Sequence, residues 1–405
     1  MKSIELFAGA GGLAFGTAEA GFRHKIVIEW DANACATLRR NRDDKVRHVR
    51  DWDIVGPPLT DGDVSEFDFK QYRDEADFVC GGPPCQPFSV GGKHRGRDDH
   101  RNMFPHAVRA VREVRPKAFV FENVKGLLRK TFANYYSYII HQLRYPTVPL
   151  RGDEDWTYHL ARLERLHTSG EKVDLGYNVV YQMVNAVDYG VPQHRWRVFI
   201  VGIRSDLGGK FSFPQPTHEE DALLYAKWIS GEYWDRHRIA TRDRSPMPGK
   251  LARKVESLRS LFPNAFLQPW LTVRDAIADL PRIAVGERST EVSNHFSNPG
   301  AKSYPGHTGS PYDEPAKALK AGDHGVPGGE NMLRMDEDSV RYFSVRECAR
   351  LQTFPDEWTF EGSWTESMRQ LGNAVPVKLA QQIARPLVEM IRQSPTSVAS
   401  RPKLR

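Results

Sequence analysis

The chain has 405 residues, of which 40% are hydrophobic, 27% charged and 11% aromatic. These are the proportions of an ordinary globular protein with one large domain, or one large and one small. No apolar run approaches the roughly 18 residues of a membrane span, Met1–Glu5 opens no secretory pattern, and four scattered cysteines without a Cys-x-x-Cys pair exclude a disulfide framework and a zinc site. A cytoplasmic protein with free thiols and no metal is expected, and the formal charge of +6 suits a polyanionic partner without identifying one.

Strands are predicted over Ser3–Phe7, Lys25–Glu29, Asp77–Gly81, Ala118–Glu122, Asn178–Val184 and Val198–Ile203. Their runs are apolar throughout, which suggests a parallel sheet buried on both faces. Between them lie helical patterns such as Met103–Val114, with Phe104, Val108, Val111 and Val114 on one face. The alternation argues for an α/β, doubly wound, Rossmann-like domain. Its first strand runs into the turn Phe7, Ala8, Gly9, Ala10, Gly11, Gly12, Leu13, in which Gly9, Gly11 and Ala14 fit a loose G-x-G-x-x-A. Such a turn lets backbone approach a cofactor at a helix N-terminus. Glu29 ends the second strand, where an acid takes ribose hydroxyls, and Trp30 offers a ring to stack on adenine. Asp53, just before Ile54, is read as the end of the third strand and an acceptor for the adenine amino group, with Asp51 as its rival. A nicotinamide enzyme shares this beginning.

The segment from Asp77 to Ser89 runs from a strand into Gly81, Gly82, Pro83 and Pro84 and delivers Cys85. A lone cysteine is by default a small buried hydrophobe, the reading given to Cys80. Around Cys85 no regular element is left to bury it, and the basic loop Gly91–Arg101, with Lys93, Arg95, Arg97 and Arg101, favours a thiolate. Arg129–Lys172, rich in Tyr, Arg and His, reads as an insertion. From Ser205 prolines and glycines multiply, and a smaller, loop-rich domain is expected over 205–338. Its stretch Ala321–Gly329 is loop, and Arg242–Arg259 is a second basic cluster. The plain reading of both basic clusters is a solvated face. Helices return at Val345–Phe354 and Val377–Met390, with Leu379, Ile383, Leu387 and Met390 on one face of the second and Pro386 expected to kink or shorten it. Residues 1–204 and 339–393 then form the main domain, and 394–405 a disordered tail.

Several segments in order resemble the DNA (cytosine-5) methyltransferases. Phe7–Leu13 is similar to the family's glycine turn and Pro84-Cys85-Gln86 to its nucleophile segment. Glu122-Asn123-Val124, Gln193-His194-Arg195-Trp196-Arg197, the helix from Val345 to Pro355, and Gly372-Asn373-Ala374-Val375 follow in the family's order. The resemblance spans the chain outside 129–172 and 205–338. It implies S-adenosyl-L-methionine as cofactor, leaving as S-adenosyl-L-homocysteine, bound by Phe7, Ala8, Gly9, Gly11, Gly12, Leu13, Glu29, Trp30, Asp53, Ile54, Pro83, Asn373, Ala374 and Val375.

It also implies the chemistry. Carbon 5 of cytosine is a poor nucleophile until the Cys85 thiolate adds at C6. Charge then builds on N3, where a protonated Glu122 stabilises it. Asn123 holds Pro84 and Cys85, Arg197 contacts the cytosine O2, and Arg195 lies near the flipped nucleotide's backbone or Glu122. No residue stands out as acceptor of the C5 proton, and a water serves as well. The base rotates out of the duplex, and Gln86, Ser89, Lys93, Arg95 and Arg97 contact DNA, Ser89 at a phosphate. Base reading is expected within 205–338, with His307, Lys317, Lys320, His324 and Arg334 as candidates, and backbone contact from Arg242–Arg259. The partners implied are double-stranded DNA and a restriction endonuclease acting on the same site without stable contact, and the chain is expected to be a monomer. The alternatives are a tRNA cytosine-5 methyltransferase, disfavoured by so large an insertion, a catalytically inactive nucleic-acid-binding protein of the same fold, and a nicotinamide-dependent oxidoreductase, in which Gly82–Cys85 has no role.

Overall fold

The computed structural model describes residues 1–84, 102–260, 266–305, 308–321, 331–336 and 339–394. Strands β1 (Lys2–Leu6), β2 (Arg23–Ile28), β3 (Asp53–Val55), β4 (Phe78–Gly81), β5 (Ala118–Val124), β6 (Tyr177–Asn185) and β7 (Trp196–Arg204) form one sheet in the order β3-β2-β1-β4-β5-β7-β6. Strands β1 to β5 are parallel, as their apolar runs predict. Strand β7 runs antiparallel to both β5 and β6, so the sheet is mixed rather than wholly parallel. The connection from β6 to β7, residues 186–195, is too short for a crossover and reverses the chain instead. The chain steps outward from β1 to β3 and restarts at β4, so the switch in direction lies between β1 and β4. Ligands of such sheets bind outside the carboxyl ends of the strands at that switch.

The helices of the main domain are α1 (Gly12–Ala20), α2 (Ala32–Asp43), α3 (Phe104–Val114), α4 (Ala133–Arg144) and α5 (Trp156–Ser169). The insertion carries α6 (Glu220–Trp228), α7 (Glu232–Arg236), α8 (Ala252–Leu258) and α9 (Val273–Ile277), and the chain closes with α10 (Val345–Leu351), α11 (Trp364–Asn373) and α12 (Val377–Gln393). Period-two alternation sends Ile4, Leu6, Val79, Phe119, Phe121, Val198 and Ile200 to one face, against Val108 and Val111 of α3 and Tyr136, Ile139 and Leu143 of α4. Phe78, Val120, Phe199 and Val201 face the other way, against Leu379, Ile383 and Leu387 of α12. Stretch 129–172 is therefore not an insertion as a whole. Helix α4 completes a layer, and α5 lies outside it with only His159 and Leu163 buried. Pro386 sits inside α12, which runs on to Gln393.

Beyond β7 the elements are short, as expected: β8 (His218–Glu219) with β9 (Gln268–Pro269), and β10 (Ser310–Pro311), β11 (Met332–Arg334) and β12 (Val340–Tyr342). Leu223, Ala226, Tyr233 and Trp234 form a small core there. Val273, Ile277, Ala316, Leu319 and Leu333 instead share a core with Ala8, Ala10 and Ala14. No helix among the described residues is long and apolar enough to cross a membrane. Residues 322–330, within the expected loop, and 395–405, the expected tail, lie outside the described residues.

Beneath α1 lies a buried polar cluster. Cys80, interior as expected, donates its thiol to Glu5. His24 Nδ1 lies 3.2 Å from Ser3 Oγ, and its Nε2 lies 2.9 Å from Thr17 Oγ1 and from the Ala14 carbonyl. Burial pushes Glu5 up to about 8 and His24 down to about 4. Glu5 therefore binds a proton more tightly folded than unfolded. Its contribution to stability is whole below 4.5 and is lost as pH rises towards about 8. Glu5→Gln is expected to remove that loss. Urea midpoints across this window should fall less steeply in the variant than in the native chain, and parallel curves would contradict the assignment.

Candidate active site

After β1, Phe7 (φ 55) and Gly9 (φ 54) turn the chain through the left-handed region, and Gly11 (φ 86) starts α1. The Glu29 carboxyl holds this turn to the end of β2. Its Oε2 accepts from the Gly9 amide at 2.6 Å, and its Oε1 from the Trp30 and Asp31 amides at 2.9 and 2.8 Å. Burial raises its pKa, while the amides of Asp31, Gly9 and Trp30 pull the other way. Trp30 beside it is 73% exposed, and a side chain at Gly9 would meet open space, so backbone and ring are both accessible. Ala8 and Leu13 are buried below. A second wall comes from the other end of the chain. A Cβ on Gly12 would lie 2.2 Å from the Val375 carbonyl, so only glycine permits the contact. Gln352 fixes that segment, its Nε2 donating to the Leu371 carbonyl at 2.6 Å and its own carbonyl accepting from the Val377 amide at 3.0 Å. Phe7–Leu13, Glu29, Trp30, Asn373, Ala374 and Val375 are thus brought together.

Asp53 is not. It opens β3 rather than ending it, pairs in register with Ile26 in the middle of β2, and is exposed. Ile54 is buried in the core with Val27, Leu38 and Trp52, and Asp51 pairs with Arg50 on the surface. Another acid, Asp63, follows a glycine that presses on Glu29. Gly62 (φ 69) lies so close to Glu29 that its Cβ would sit 2.0 Å from the Glu29 carbonyl. Val64 then packs among Ile26 and Ile28, and Arg109 donates to the carbonyls of Val64 and Ser65 at 2.6 and 3.0 Å. The Asp63 carboxyl accepts from the Ser65 amide at 2.7 Å. The one sequence signal for this position was a glycine directly before an acid and a valine, downstream of the third strand.

At the end of β4 two carbonyls are held. Asn123 Nδ2 donates to Pro83 at 2.9 Å, and the Met103 amide donates to Pro84 at 3.3 Å. Glu122, 7% exposed, places Oε1 2.6 Å from Arg197 Nε. Its Oε2 faces Gly82, whose Cβ would lie 3.3 Å away. Burial raises the Glu122 pKa, and the charges of Arg197 and Arg195 oppose the rise. Arg195 needs correction: its guanidinium touches neither Glu122 nor an open surface. It is buried, donating to the carbonyls of Leu319 at 3.0 Å and Gly372 at 2.6 Å, because two backbone oxygens reach it first. It acts on Glu122 through its charge alone. Between the two arginines, Trp196 is exposed, with Lys125 Nζ 5.7 Å from its ring centroid.

Cys85, Gln86, Ser89, Lys93, Arg95, Arg97, Arg101, His307 and His324 lie outside the described residues. Lys317 Nζ donates to Thr308 Oγ1 at 3.1 Å, Lys320 is held through its backbone by Asn331, and Arg334 is exposed on β11. The Arg242–Arg259 cluster is less basic than its sequence suggests. Arg244 pairs with Asp235, Lys254 with Glu220 and Asp221, and Arg259 with Glu256.

Residues 1–145 and 171–389 match the family model "C-5 cytosine-specific DNA methylase", which passes over the loop and α5. The chain is 33% identical over 401 residues to the Type II methyltransferase M.PspPI of Psychrobacter sp. (strain TA137), covering 98% of this chain and 80% of that one. It is 32% identical over 394 residues to the Type II methyltransferase M.Eco47II of Escherichia coli, covering 96% and 79%. Among solved structures it is similar to a DNA modification methyltransferase encoded within an E. coli prophage, with TM-score 0.59, 20% identity and coverage of 97% and 100%. The S. pombe Dnmt2 methyltransferase follows, with TM-score 0.55, 16% identity and coverage of 96% and 99%. At these identities the two structures establish the α/β methyltransferase fold.

The cations beside Glu122 offset part of the rise that burial causes, so removing the nearer one should raise its pKa further. In Arg197→Met the Glu122 carboxyl is expected to titrate at higher pH than in the native chain. Side-chain carbon NMR, with the resonance identified by Glu122→Gln, reads the shift, and an unchanged or lower midpoint would contradict the coupling.

Proposed function

Because the chain belongs to the C-5 cytosine-specific DNA methylase family, we propose that Cys85, Glu122 and Arg197 form the centre at which it methylates carbon 5 of a cytosine in a short duplex sequence. The observation that carries this reading is the Glu122–Arg197 pair beside Gly82, where the Pro83 and Pro84 carbonyls are both held directly before position 85. Fixed carbonyls on a rigid Gly-Pro-Pro bend present the next residue, Cys85, to a substrate bound at Glu122. Its thiolate adds to C6 of the ring and forms a carbon–sulfur bond. Glu122, protonated when the base is bound, stabilises the charge that reaches N3. Arg197 pairs with O2 of the base. C5, now enamine-like, takes the methyl group, loses its proton, and the carbon–sulfur bond breaks to release Cys85. The base reaches this centre only by rotating out of the duplex, at a cost of about a few kcal/mol.

The region at the end of β1 and β2 fits a nucleoside cofactor. Glu29 suits ribose hydroxyls, the exposed Trp30 ring suits adenine, and Asp63 rather than Asp53 suits the adenine amino group. S-adenosyl-L-methionine, held there and against Asn373–Val375, supplies a methyl group on a sulfonium. Residues 205–338 read the sequence, with the Lys302–Arg334 region nearest the site through Leu319. The Type II relatives support a role in restriction-modification, in which a monomeric cytoplasmic enzyme marks the sites that a separate endonuclease cuts.

DNA carrying 5-fluorocytosine at the target is the sharpest test, because fluorine at C5 cannot leave as a proton. Incubated with the cofactor, the native chain is expected to form a stable adduct one DNA strand heavier in intact-mass spectra. Cys85→Ser should form none and lose methyl transfer while still binding DNA. An adduct surviving in Cys85→Ser, or its absence in the native chain, would reject the nucleophile.

A further inference from the structure

We propose that Arg195 is a positioning residue that ties residues 319–321 of the insertion to the strand bearing Arg197, and so couples engagement of a cognate sequence to the charge that Glu122 meets. The inference rests on the reading of Glu122 as the acid at N3. Arg195 stands one residue before β7 and is 1% exposed. Among the described residues no carboxylate lies within ion-pair distance of it. Its two terminal nitrogens are spent on the carbonyls of Leu319 and Gly372, and its Nε has no partner. A buried cation held by backbone oxygens alone sits in a costly place and depends on those oxygens staying where they are.

Those oxygens belong to segments locked to each other. A Cβ on Gly372 would lie 2.2 Å from the Ala321 amide nitrogen and 2.4 Å from the Lys320 carbonyl carbon, so the end of α11 presses backbone to backbone on 320–321. Segment 316–319 is zipped to 192–195. The Ala316 amide donates to the Pro192 carbonyl at 2.9 Å, the His194 amide to the Ala316 carbonyl at 2.8 Å, and the Leu319 amide to Gln193 Oε1 at 3.0 Å. Asn331 is held to Lys320 by two hydrogen bonds. Its Nδ2 donates to the Lys320 carbonyl at 2.8 Å, and its Oδ1 accepts from the Lys320 amide at 3.0 Å. A displacement of 319–321 by bound DNA therefore moves an acceptor of Arg195. The charged groups facing Glu122 are Arg197, in contact, and Arg195, at a distance, both from the β7 side. On the other flank, Gly82, which follows β4, faces Glu122 and brings no charge. Arg197 is fixed to Glu122, so Arg195 is the cation whose influence the insertion can alter.

The test measures single-turnover methyl transfer against pH, per folded molecule, on the cognate site and on a site with one changed base pair. Bisulfite sequencing of DNA from cells expressing the chain first identifies the site. Arg195→Met is expected to move the pH midpoint and to lower the cognate-to-changed ratio by about 2- to 30-fold, the range typical of coupling through a packed network. Arg195→Lys keeps the charge but not both carbonyls, and is expected to lower the ratio with little movement of the midpoint. Asn331→Ala, outside the catalytic strands, removes both side-chain bonds to the Lys320 backbone and should lower the ratio as well, which keeps the proposal testable if Arg195→Met fails to fold. An unchanged ratio in both Arg195→Lys and Asn331→Ala overturns the coupling, because a merely structural arginine would reduce the folded fraction and nothing else. Failure of the underlying reading looks different: Glu122→Gln would then keep native turnover and the native pH profile.

Discussion

Glu122 stands near the carboxyl end of β5 and Arg197 at the start of β7, and they meet at 2.6 Å because β7 runs against β5. In a wholly parallel sheet the start of every strand lies at the edge away from the site, and Arg197 would have been a strand's length from Glu122. Reversal of one strand carries a basic residue to the edge where the parallel strands deliver the glycine turn, Glu29 and the Gly82–Pro84 bend. The short β6–β7 connection that forces this reversal also contains Gln193 and Arg195, so the same turn that brings a cation to Glu122 lays a track for the insertion.

Backbone contacts that only glycine allows then assemble the rest. Gly12 admits the Val375 carbonyl, and Gly16 admits the Val377 carbonyl at 2.4 Å from where its Cβ would be, so α12 lies directly on α1. The first turn of the chain thereby gains its second wall from residues near the last helix. Gly372 does the same for the insertion. Close packing of this kind transmits displacement rather than absorbing it, and it joins the glycine turn to Val375 and the end of α11 to Lys320 and Ala321.

Much of this was legible in the sequence, for definite reasons. Buried parallel strands such as Phe78–Gly81 and Ala118–Val124 are apolar on both faces, and that pattern marks them without ambiguity of position. The direction of β7 was not legible, since a buried strand reads the same either way along. Helix α4 was hidden by its composition: the Tyr-, Arg- and His-rich stretch read as an insertion, yet the rings of Tyr135, Tyr136 and Tyr138 pack inward, and the Tyr138 hydroxyl meets His159 Nδ1 at 2.8 Å. The placement of Asp63 was not legible, because it depends on the positive φ and close approach of Gly62, which no periodicity announces. Arg195 and Arg197 stand two residues apart, yet one donates to backbone carbonyls and the other pairs with Glu122. Their different fates are decided by carbonyls 124 and 177 residues away, a matter of tertiary structure alone.

Two buried glutamates show what the site adds to mere burial. Glu5 and Glu122 both lie in the sheet, and burial raises the proton affinity of both. Beside Glu5 stand a thiol, whose hydrogen bond offsets only part of the rise, and a neutral histidine, so burial still carries the pKa up to about 8. Beside Glu122 stand two guanidinium groups that pull its affinity back. A carboxyl balanced between burial and cations changes its charge when either side of the balance moves. In the proposed reaction a base arriving against Glu122 would complete its burial and its O2 would draw on Arg197, and both changes would favour the proton on Glu122 when N3 needs a donor. A carboxyl like Glu5, with no cation to be drawn away, would hold its proton before and after alike, and would distinguish nothing.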